Sequence, residues 1–146
     1  MRIIVQRVKR ASCIVDEKVV SSINKGFMLL VGLTHSDTIE NAKELARKVN
    51  NLRIFSDEFG KMNLNIHDAE GEILSISQFT LYGNTKKSNR PSFTDSMEAT
   101  KANELYLEFN RILNEEYQVV TKPGVFGAHM ELDVLCDGPV TITLEN

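Results

Sequence analysis

The stretch Cys136-Asp137-Gly138-Pro139-Val140-Thr141 interrupts two apolar runs near the end of a chain of 146 residues. On both sides apolar and polar residues alternate, as in half-buried strands, the apolar positions being Met130, Leu132, Val134, Val140, Ile142 and Leu144. Pro139 has no N–H for a ladder, and Gly138 tolerates backbone angles that other residues avoid. The pattern predicts a tight corner between two strands. From the residues alone, this corner is either an ordinary β-turn or a rigid loop that presents its backbone carbonyl groups to a molecule outside the strand.

The composition is that of an ordinary globular protein, with 42% hydrophobic and 25% charged residues. The length suffices for one domain with its own core. No apolar run is long enough for a signal peptide or a membrane span, so we expect a cytoplasmic protein. The formal net charge of −3 argues against a protein that coats nucleic acid, because coating requires many neutralised phosphates. This net charge is compatible with a protein that binds only the end of a nucleic acid.

The cysteines and histidines give no sign of a metal site or of a conventional nucleophile. Cys13 and Cys136 fall in strand-like runs far apart in the sequence, so we expect two buried reduced thiols rather than a disulfide. His35, His67 and His129 lack the spacing of zinc ligands. Motifs for a serine nucleophile or a phosphate-binding glycine loop are also missing. We therefore expect no metal and no other cofactor.

Periodicity predicts strands first and helices later in the chain. Short β-rich runs separated by turn residues indicate antiparallel strands at residues 2–8, 11–15, 19–23 and 27–33. A further strand is predicted over residues 72–82. Two amphipathic helices follow from apolar residues at helical spacing, the first set being Ala42, Leu45, Ala46, Val49 and Leu52 and the second Ala102, Leu105, Tyr106, Phe109, Ile112 and Leu113.

Polar residues can begin both helices, Thr38 before the first and Asp95 or Ser96 before the second. There is no internal repeat and no linker. The predicted fold class is therefore α+β, with an antiparallel or mixed, barrel-like sheet and two amphipathic helices in one domain covering residues 1–146.

The predicted strand over residues 72–82 carries more polar side chains than a core strand usually does, namely Ser75, Ser77, Gln78 and Thr80. A threonine hydroxyl is a weak nucleophile without an adjacent base, and no base stands near Thr80 in the sequence. A hydroxyl that hydrogen-bonds the ligand or the backbone is favoured. Gln78 is neither an acid nor a base, but its amide can position a ligand.

The segment 83–95 is longer than most connections between elements. It carries three cations close together, Lys86, Lys87 and Arg90. These cations are either solvated surface or a patch for phosphate groups.

Four motifs in this order resemble the D-aminoacyl-tRNA deacylase family: Ser77-Gln78-Phe79-Thr80-Leu81, Arg90-Pro91-Ser92-Phe93, Gly124-Val125-Phe126-Gly127-Ala128-His129-Met130 and Asp137-Gly138-Pro139-Val140-Thr141. Val5-Gln6-Arg7-Val8 and Arg53-Ile54-Phe55-Ser56-Asp57 are similar to that family as well. The resemblance implies the family's fold and a cytoplasmic homodimer. It also implies an esterase that removes D-amino acids, and glycine mischarged on alanine tRNA, from the tRNA 3′ end.

The resemblance also implies roles for particular residues. In the family the Gly-Pro bond is cis and enters the active site of the other subunit, so Gly138 and Pro139 would exclude an L side chain. Ser77, Gln78, Phe79 and Thr80 would form the catalytic wall, with the Phe79 N–H steadying the oxyanion. The family employs the 2′-hydroxyl of the terminal adenosine and no obligatory side-chain nucleophile. The remaining implied contacts are Phe126, Ala128 and Met130 for the substrate and Lys86, Lys87 and Arg90 for tRNA.

One segment departs from the family's pattern, and two rival functions stay open. Lys86-Lys87-Ser88-Asn89 stands where many relatives carry glycine and a further arginine, which puts the strength of the tRNA grip in question. The first rival is a dimer of the same fold that binds single-stranded nucleic acid without chemistry. The second is a conventional threonine or cysteine hydrolase of small esters, which would depend on Thr80 or Cys136.

Overall fold

The computed structural model describes residues 1–146. Its strands and helices are, in chain order, β1 Arg2–Val15, β2 Lys18–Ile23, β3 Gly26–Gly32, α1 Ile39–Asn51, β4 Phe55–Ser56, β5 Met62–Leu64, β6 Glu72–Ser77, α2 Ala99–Arg111, β7 Thr121–Pro123 and β8 Glu131–Glu145. A 3₁₀ turn covers Phe79–Tyr82, and a π-helical segment, Ile112–Glu116, extends α2. None of the helices is both long and apolar enough to span a bilayer.

β1 is the central strand of a mixed six-stranded sheet. Its first half pairs with β3 and its second half with β2, while β8 pairs with it along most of its length, all three antiparallel. β6 runs parallel to β3, and β7 runs parallel to β6. The sheet therefore curls into a partly closed barrel that carries two amphipathic helices, and the predicted fold class is confirmed. The strands predicted separately at 2–8 and 11–15 are one strand in the structure.

Both helices bury the apolar faces that their periodicity predicts. Thr38 is the N-cap residue of α1, and its N–H donates to the Asn41 side chain at 2.9 Å. The cap of α2 differs from the prediction, because Glu98 rather than Asp95 or Ser96 accepts from the N–H groups of Thr100 and Lys101. Those two donors lower the pKa of the Glu98 carboxyl. Asp95 and Ser96 belong to the loop before the helix.

The predicted strand over residues 72–82 is wrong in its second half. β6 ends at Ser77, and the chain then turns so that the Leu81 N–H donates to the Gln78 carbonyl at 3.3 Å. The neighbouring strands explain this change. The last pair with β3 is Val31 with Ser77, and β7 ends at Pro123, opposite Ser75. A strand without ladder partners leaves its N–H groups unsatisfied, and a tight turn satisfies some of them locally.

The predicted corner at Gly138-Pro139 is not a hairpin, because both of its arms belong to β8 and pair with β1. Cys136 pairs with Val8 and Thr141 with Gln6, so residues 137–140 stand opposite Arg7 alone. We call residues 137–140 the Gly-Pro bulge. Its Gly138–Pro139 peptide bond is cis, and Gly138 has a φ of 122°, a conformation that glycine adopts at little expense.

The two thiols are both free, but only one is buried. Cys13 lies in the core, and burial raises the pKa of its thiol. Cys136 is exposed on β8, next to the Gly-Pro bulge. The prediction of two buried thiols is therefore wrong for Cys136. Leu135 and Cys136, which point to opposite faces of β8, are both exposed, so neither face of the strand is covered beside the bulge.

Candidate active site

A cleft of about 620 Å³ opens where β6 ends, between the 3₁₀ turn and the segment that leads into β8. Its lining is largely apolar and includes Val31, Leu33 and Ala102. Three of the motifs, far apart in the sequence, contribute residues to its lining. Six of the predicted site residues line the cleft: Ser77, Gln78, Phe79, Phe126, Ala128 and Met130.

The 3₁₀ turn contributes Phe79 to the lining of this cleft, and it carries no activated side-chain nucleophile. Phe79 is the first residue of the turn, so its N–H has no acceptor within the turn. Its ring is 58% exposed and meets the Phe93 ring edge to face at 5.0 Å. The Gln78 side-chain amide donates to the Thr80 hydroxyl oxygen at 2.5 Å. An amide N–H is a donor and cannot take the hydroxyl proton, so nothing in this contact activates Thr80.

The opposite wall of the cleft is held from behind by a carbonyl of β6. The Ser75 carbonyl accepts from the Gly124 N–H at 2.8 Å and from the Tyr106 hydroxyl at 2.7 Å. Burial raises the pKa of Tyr106, which keeps its hydroxyl protonated as a donor. The Tyr106 ring also packs against Phe126, with 5.9 Å between ring centroids. The backbone of this wall is therefore fixed to the sheet and to α2.

Gly124 allows the close approach of this wall to the sheet. A Cβ at this position would lie 2.7 Å from the Met130 sulfur and 2.9 Å from a methyl carbon of Ile76. Both neighbours line the cleft, so a larger residue would displace the lining.

The Gly-Pro bulge lies outside the cleft of its own chain. Neither Gly138 nor Pro139 lines it, and both are exposed. The bulge is held from beneath by Arg7, which is only 8% exposed. The Arg7 Nε lies 3.1 Å from the Asp137 carbonyl and 3.2 Å from the Asp137 carboxylate, and its Nη1 donates to the Ile54 carbonyl at 2.5 Å.

The three predicted tRNA-binding cations lie on the exposed loop beyond the cleft. Backbone hydrogen bonds in both directions between Asn84 and Ser92 close this loop at its base. Lys86, Lys87 and Arg90 are all exposed, and none takes part in an ion pair. Their charges are therefore available to an anionic partner.

Sequence reasoning missed part of the lining. The unassigned residues are Val31, Leu33, Ile76, Phe93, Ser96, Met97, Ala99, Ala102, Gly127, His129 and Leu132. Phe93, Gly127 and His129 stand within motifs quoted above, so the motifs contain a signal for them. The apolar residues of β3, β6 and α2 follow the same periodicity as core residues, and no pattern separates them from the core.

Comparison with known proteins extends over nearly the whole chain. Residues 4–145 match the family model described as D-Tyr-tRNA(Tyr) deacylase. A D-aminoacyl-tRNA deacylase of Exiguobacterium sibiricum is 49% identical over 99% of this chain and 99% of its own length. One of Fusobacterium nucleatum is 50% identical over 99% of this chain and 95% of its own length.

Two solved structures share the fold. One, of a "c-Myc DNA Unwinding Element Binding Protein", is 40% identical with a TM-score of 0.94, and the match covers 100% of this chain and 99% of that one. The other, of a "probable eukaryotic D-amino acid tRNA deacylase", is 17% identical with a TM-score of 0.84, over 98% of this chain and 97% of that one. The family model and the two bacterial relatives decide the assignment, and the chain belongs to the D-Tyr-tRNA(Tyr) deacylase family.

Proposed function

We propose that this protein hydrolyses the ester bond of D-aminoacyl-tRNA, releasing the free D-amino acid and tRNA. The observation that carries the proposal is the family match over residues 4–145. The cleft agrees with it, because residues of three motifs that resemble those of the family line one largely apolar site. An aminoacyl-adenosine end is of the size that such a cleft accommodates.

The reaction needs little from side chains. Water attacks the ester carbonyl, the bond between the carbonyl carbon and the ribose 3′-oxygen breaks, and that oxygen takes up a proton as the tRNA leaves. In the proposed arrangement the Phe79 N–H, without an acceptor in its own turn, stabilises the negative charge on the carbonyl oxygen. The neighbouring 2′-hydroxyl of the substrate assists the attack. This division of labour agrees with a Thr80 hydroxyl that meets only an amide donor.

In this proposal, a second copy of the chain selects D-aminoacyl over L-aminoacyl substrates. The Gly-Pro bulge of one subunit enters the cleft of the other, where its carbonyl groups face the α-carbon and leave no room for an L side chain. The position of the bulge supports this arrangement, because its Gly138 and Pro139 are exposed, it lies outside its own cleft, and it belongs to a strand with an open edge. A filter that works by rejection also admits glycine, which has no side chain. Glycine mischarged on alanine tRNA is therefore a second proposed substrate.

The proposal is tested by the release of amino acid from matched D- and L-aminoacyl-tRNA by the purified protein. Rapid release from the D form alone is the expected result. Release from both forms would leave an esterase without the chiral filter. Release from neither, with tRNA still bound, would support the dimer that binds single-stranded nucleic acid without chemistry.

Thr80→Ala is expected to keep appreciable activity. Loss of one hydroxyl hydrogen bond of about 1 kcal/mol lowers kcat/KM by about fivefold at most. The measurement is kcat/KM on D-aminoacyl-tRNA, with Thr80→Val as a control of the same shape and Cys136→Ala as a test of the cysteine hydrolase. Near-complete loss in either alanine variant would favour a conventional side-chain nucleophile.

Changing Lys86, Lys87 and Arg90 together to alanine is expected to weaken substrate binding while leaving the chemical step intact. KM should rise about tenfold in low salt with little change in kcat, and the slope of log KM against log salt should fall by about 2, since each phosphate contact on a single strand contributes about 0.7. The measurement is KM at a series of KCl concentrations. The matched control changes Lys18, Lys25 and Arg47, which are exposed cations away from the cleft. Equal effects of the two triple variants would mean that overall charge, rather than this loop, determines binding.

A further inference from the structure

The 3₁₀ turn Phe79–Tyr82 lies beyond the end of β6, so the ladder of the sheet does not hold it. Two of its carbonyl groups instead accept hydrogen bonds from side chains outside the turn. The Ser96 hydroxyl donates to the Phe79 carbonyl at 3.0 Å, and the Arg2 Nη1 donates to the Leu81 carbonyl at 2.6 Å. The turn is thus held at two points by residues distant in sequence.

Arg2 connects the turn to the first and last strands. Its guanidinium lies over the Tyr82 ring, with 4.9 Å from the guanidinium carbon to the ring centroid. Its Nε and Nη2 donate to the Glu145 carboxylate at 3.0 and 2.5 Å. Glu145 is the residue of β8 that pairs with Arg2 in the sheet. The guanidinium therefore approaches the turn from a fixed direction.

The backbone of Ser96 is itself fixed by contacts of the loop before α2. Its N–H donates to the Phe93 carbonyl at 3.0 Å, and it forms an isolated bridge with Thr34. The Thr34 hydroxyl donates at 2.5 Å to the carbonyl of Asp95, the residue before Ser96. Ser96 also lines the cleft. Its hydroxyl therefore stands on a braced backbone, close to where the substrate binds.

We infer that Ser96 and Arg2 are positioning residues for the reaction, because they hold the Phe79–Thr80 and Leu81–Tyr82 peptide units of the turn. The Leu81 N–H donates to the Gln78 carbonyl at 3.3 Å, and that carbonyl shares a peptide unit with the Phe79 N–H, so the two side chains aim this N–H through the turn. The inference rests on the proposed function, in which this N–H meets the developing oxyanion. A main-chain donor has no side-chain rotamer with which to correct its direction. Displacement of a reacting group by about 1 Å lowers a rate by about 100-fold, so a partial release of the turn is visible in the rate.

Ser96→Ala tests the first contact. It should lower kcat on D-aminoacyl-tRNA about tenfold, through partial release of the Phe79–Thr80 peptide unit and with it the turn, with KM changed by less than about twofold. Ser96→Thr keeps the hydroxyl and should retain most of kcat. Ser36→Ala is the matched control, since Ser36 is exposed and outside the cleft, and it should behave as the wild type. All variants should unfold thermally within a few degrees of one another, because each changes one small polar side chain outside the buried core.

Arg2 is tested with variants that separate its contacts. Arg2→Ala removes the bond to the Leu81 carbonyl and should lower kcat about tenfold, and Arg2→Lys, which keeps a donor, should restore part of it. Glu145→Gln removes the charge of the ion pair but keeps a side-chain oxygen that accepts from the Arg2 guanidinium, so the direction of the guanidinium is retained. An exposed pair contributes little, so this variant should keep the kcat of the wild type.

The outcomes separate this inference from the proposed function. An active wild type with unchanged kcat in both Ser96→Ala and Arg2→Ala would overturn the inference and leave the deacylase proposal standing. The inference would also be overturned if Ser96→Thr and Glu145→Gln lost as much kcat as the alanine variants. These two variants keep the hydrogen bonds to the turn, so such a loss would have another cause. A wild type that hydrolyses no D-aminoacyl-tRNA would refute the proposed function, and the inference with it. A fall in kcat that is confined to Ser96→Ala and Arg2→Ala supports the inference.

Discussion

Gly138→Ala is expected to lower kcat/KM on D-aminoacyl-tRNA by about 100-fold or more, as for a displacement of about 1 Å at the reacting centre. The backbone φ of 122° at Gly138 disfavours any L residue. A Cβ would also lie 2.9 Å from a methyl carbon of Val140, 3.1 Å from the Val140 nitrogen and 3.2 Å from the Arg7 Nη2. The methyl group therefore meets its own chain, and the Gly-Pro bulge must move away from the geometry that the proposed filter requires.

Stability has to be measured beside activity in this variant. A strained residue costs about 1–3 kcal/mol, so Gly138→Ala is expected to unfold at a lower urea concentration than the wild type. The contacts of a Cβ with Val140 and Arg7 lie within the chain itself, so the substitution is expected to lower stability as well as turnover. Activity must therefore be compared at temperatures where both proteins are folded.

A mixing experiment tests whether the bulge acts across subunits. Ala128→Trp should fill the cleft, since Ala128 lines it, while leaving the bulge intact. In the proposed dimer, Gly138→Ala and Ala128→Trp, mixed one to one and allowed to exchange, would form mixed dimers with one complete site, made of the cleft of the first and the bulge of the second. About a quarter of the wild-type activity should return. Mixing that restores nothing, although mixed dimers form, would show that the bulge acts within its own chain or not at all.

The bulge illustrates what the alternating pattern of β8 predicts and what it does not. Alternation identifies the two arms around Gly138-Pro139 as strands, and this is correct. It does not specify which strand each arm pairs with, because that choice depends on residues more than 100 positions away in β1. A hairpin is the local solution for two strands joined by Gly-Pro. The structure instead pairs both arms with β1 and excludes residues 137–140 from the ladder.

The 3₁₀ turn shows the same limit at the site itself. Residues 72–82 have the composition of one strand, and the sequence contains no signal at Gln78. The strand ends there because β3 and β7 have ended, which is a property of the assembled sheet. The motifs shared with the family locate Gln78 and Phe79 without explaining them. Arg2 and Ser96 lie outside those motifs, so only the structure reveals their hydrogen bonds to the turn.

Arg7→Ala is expected to destabilise the protein by about 3 kcal/mol, because two hydrogen bonds to a charged donor, each of about 1.5–3 kcal/mol, are partly replaced by water. The carbonyls of Asp137 and Ile54 lose their donor, and truncation leaves a gap beneath the Gly-Pro bulge. Equilibrium unfolding in urea measures the change. Asp137→Asn removes the charge of the ion pair but keeps the backbone contact, and because Asp137 is partly exposed this control should lose no more than about 1 kcal/mol.

Arg7 also offers a test of the chiral filter that is independent of Gly138. In Arg7→Met the long apolar side chain fills much of the space while the donors are lost, so the fold should survive at low temperature with a bulge that is no longer fixed. A loosened bulge excludes an L side chain less strictly. The ratio of D- to L-aminoacyl-tRNA hydrolysis is therefore expected to fall about tenfold or more, a loss of discrimination of at least about 1.4 kcal/mol. If Arg7→Met is folded and keeps the wild-type ratio, the guanidinium is a structural support only, and the discrimination between D and L substrates does not depend on it.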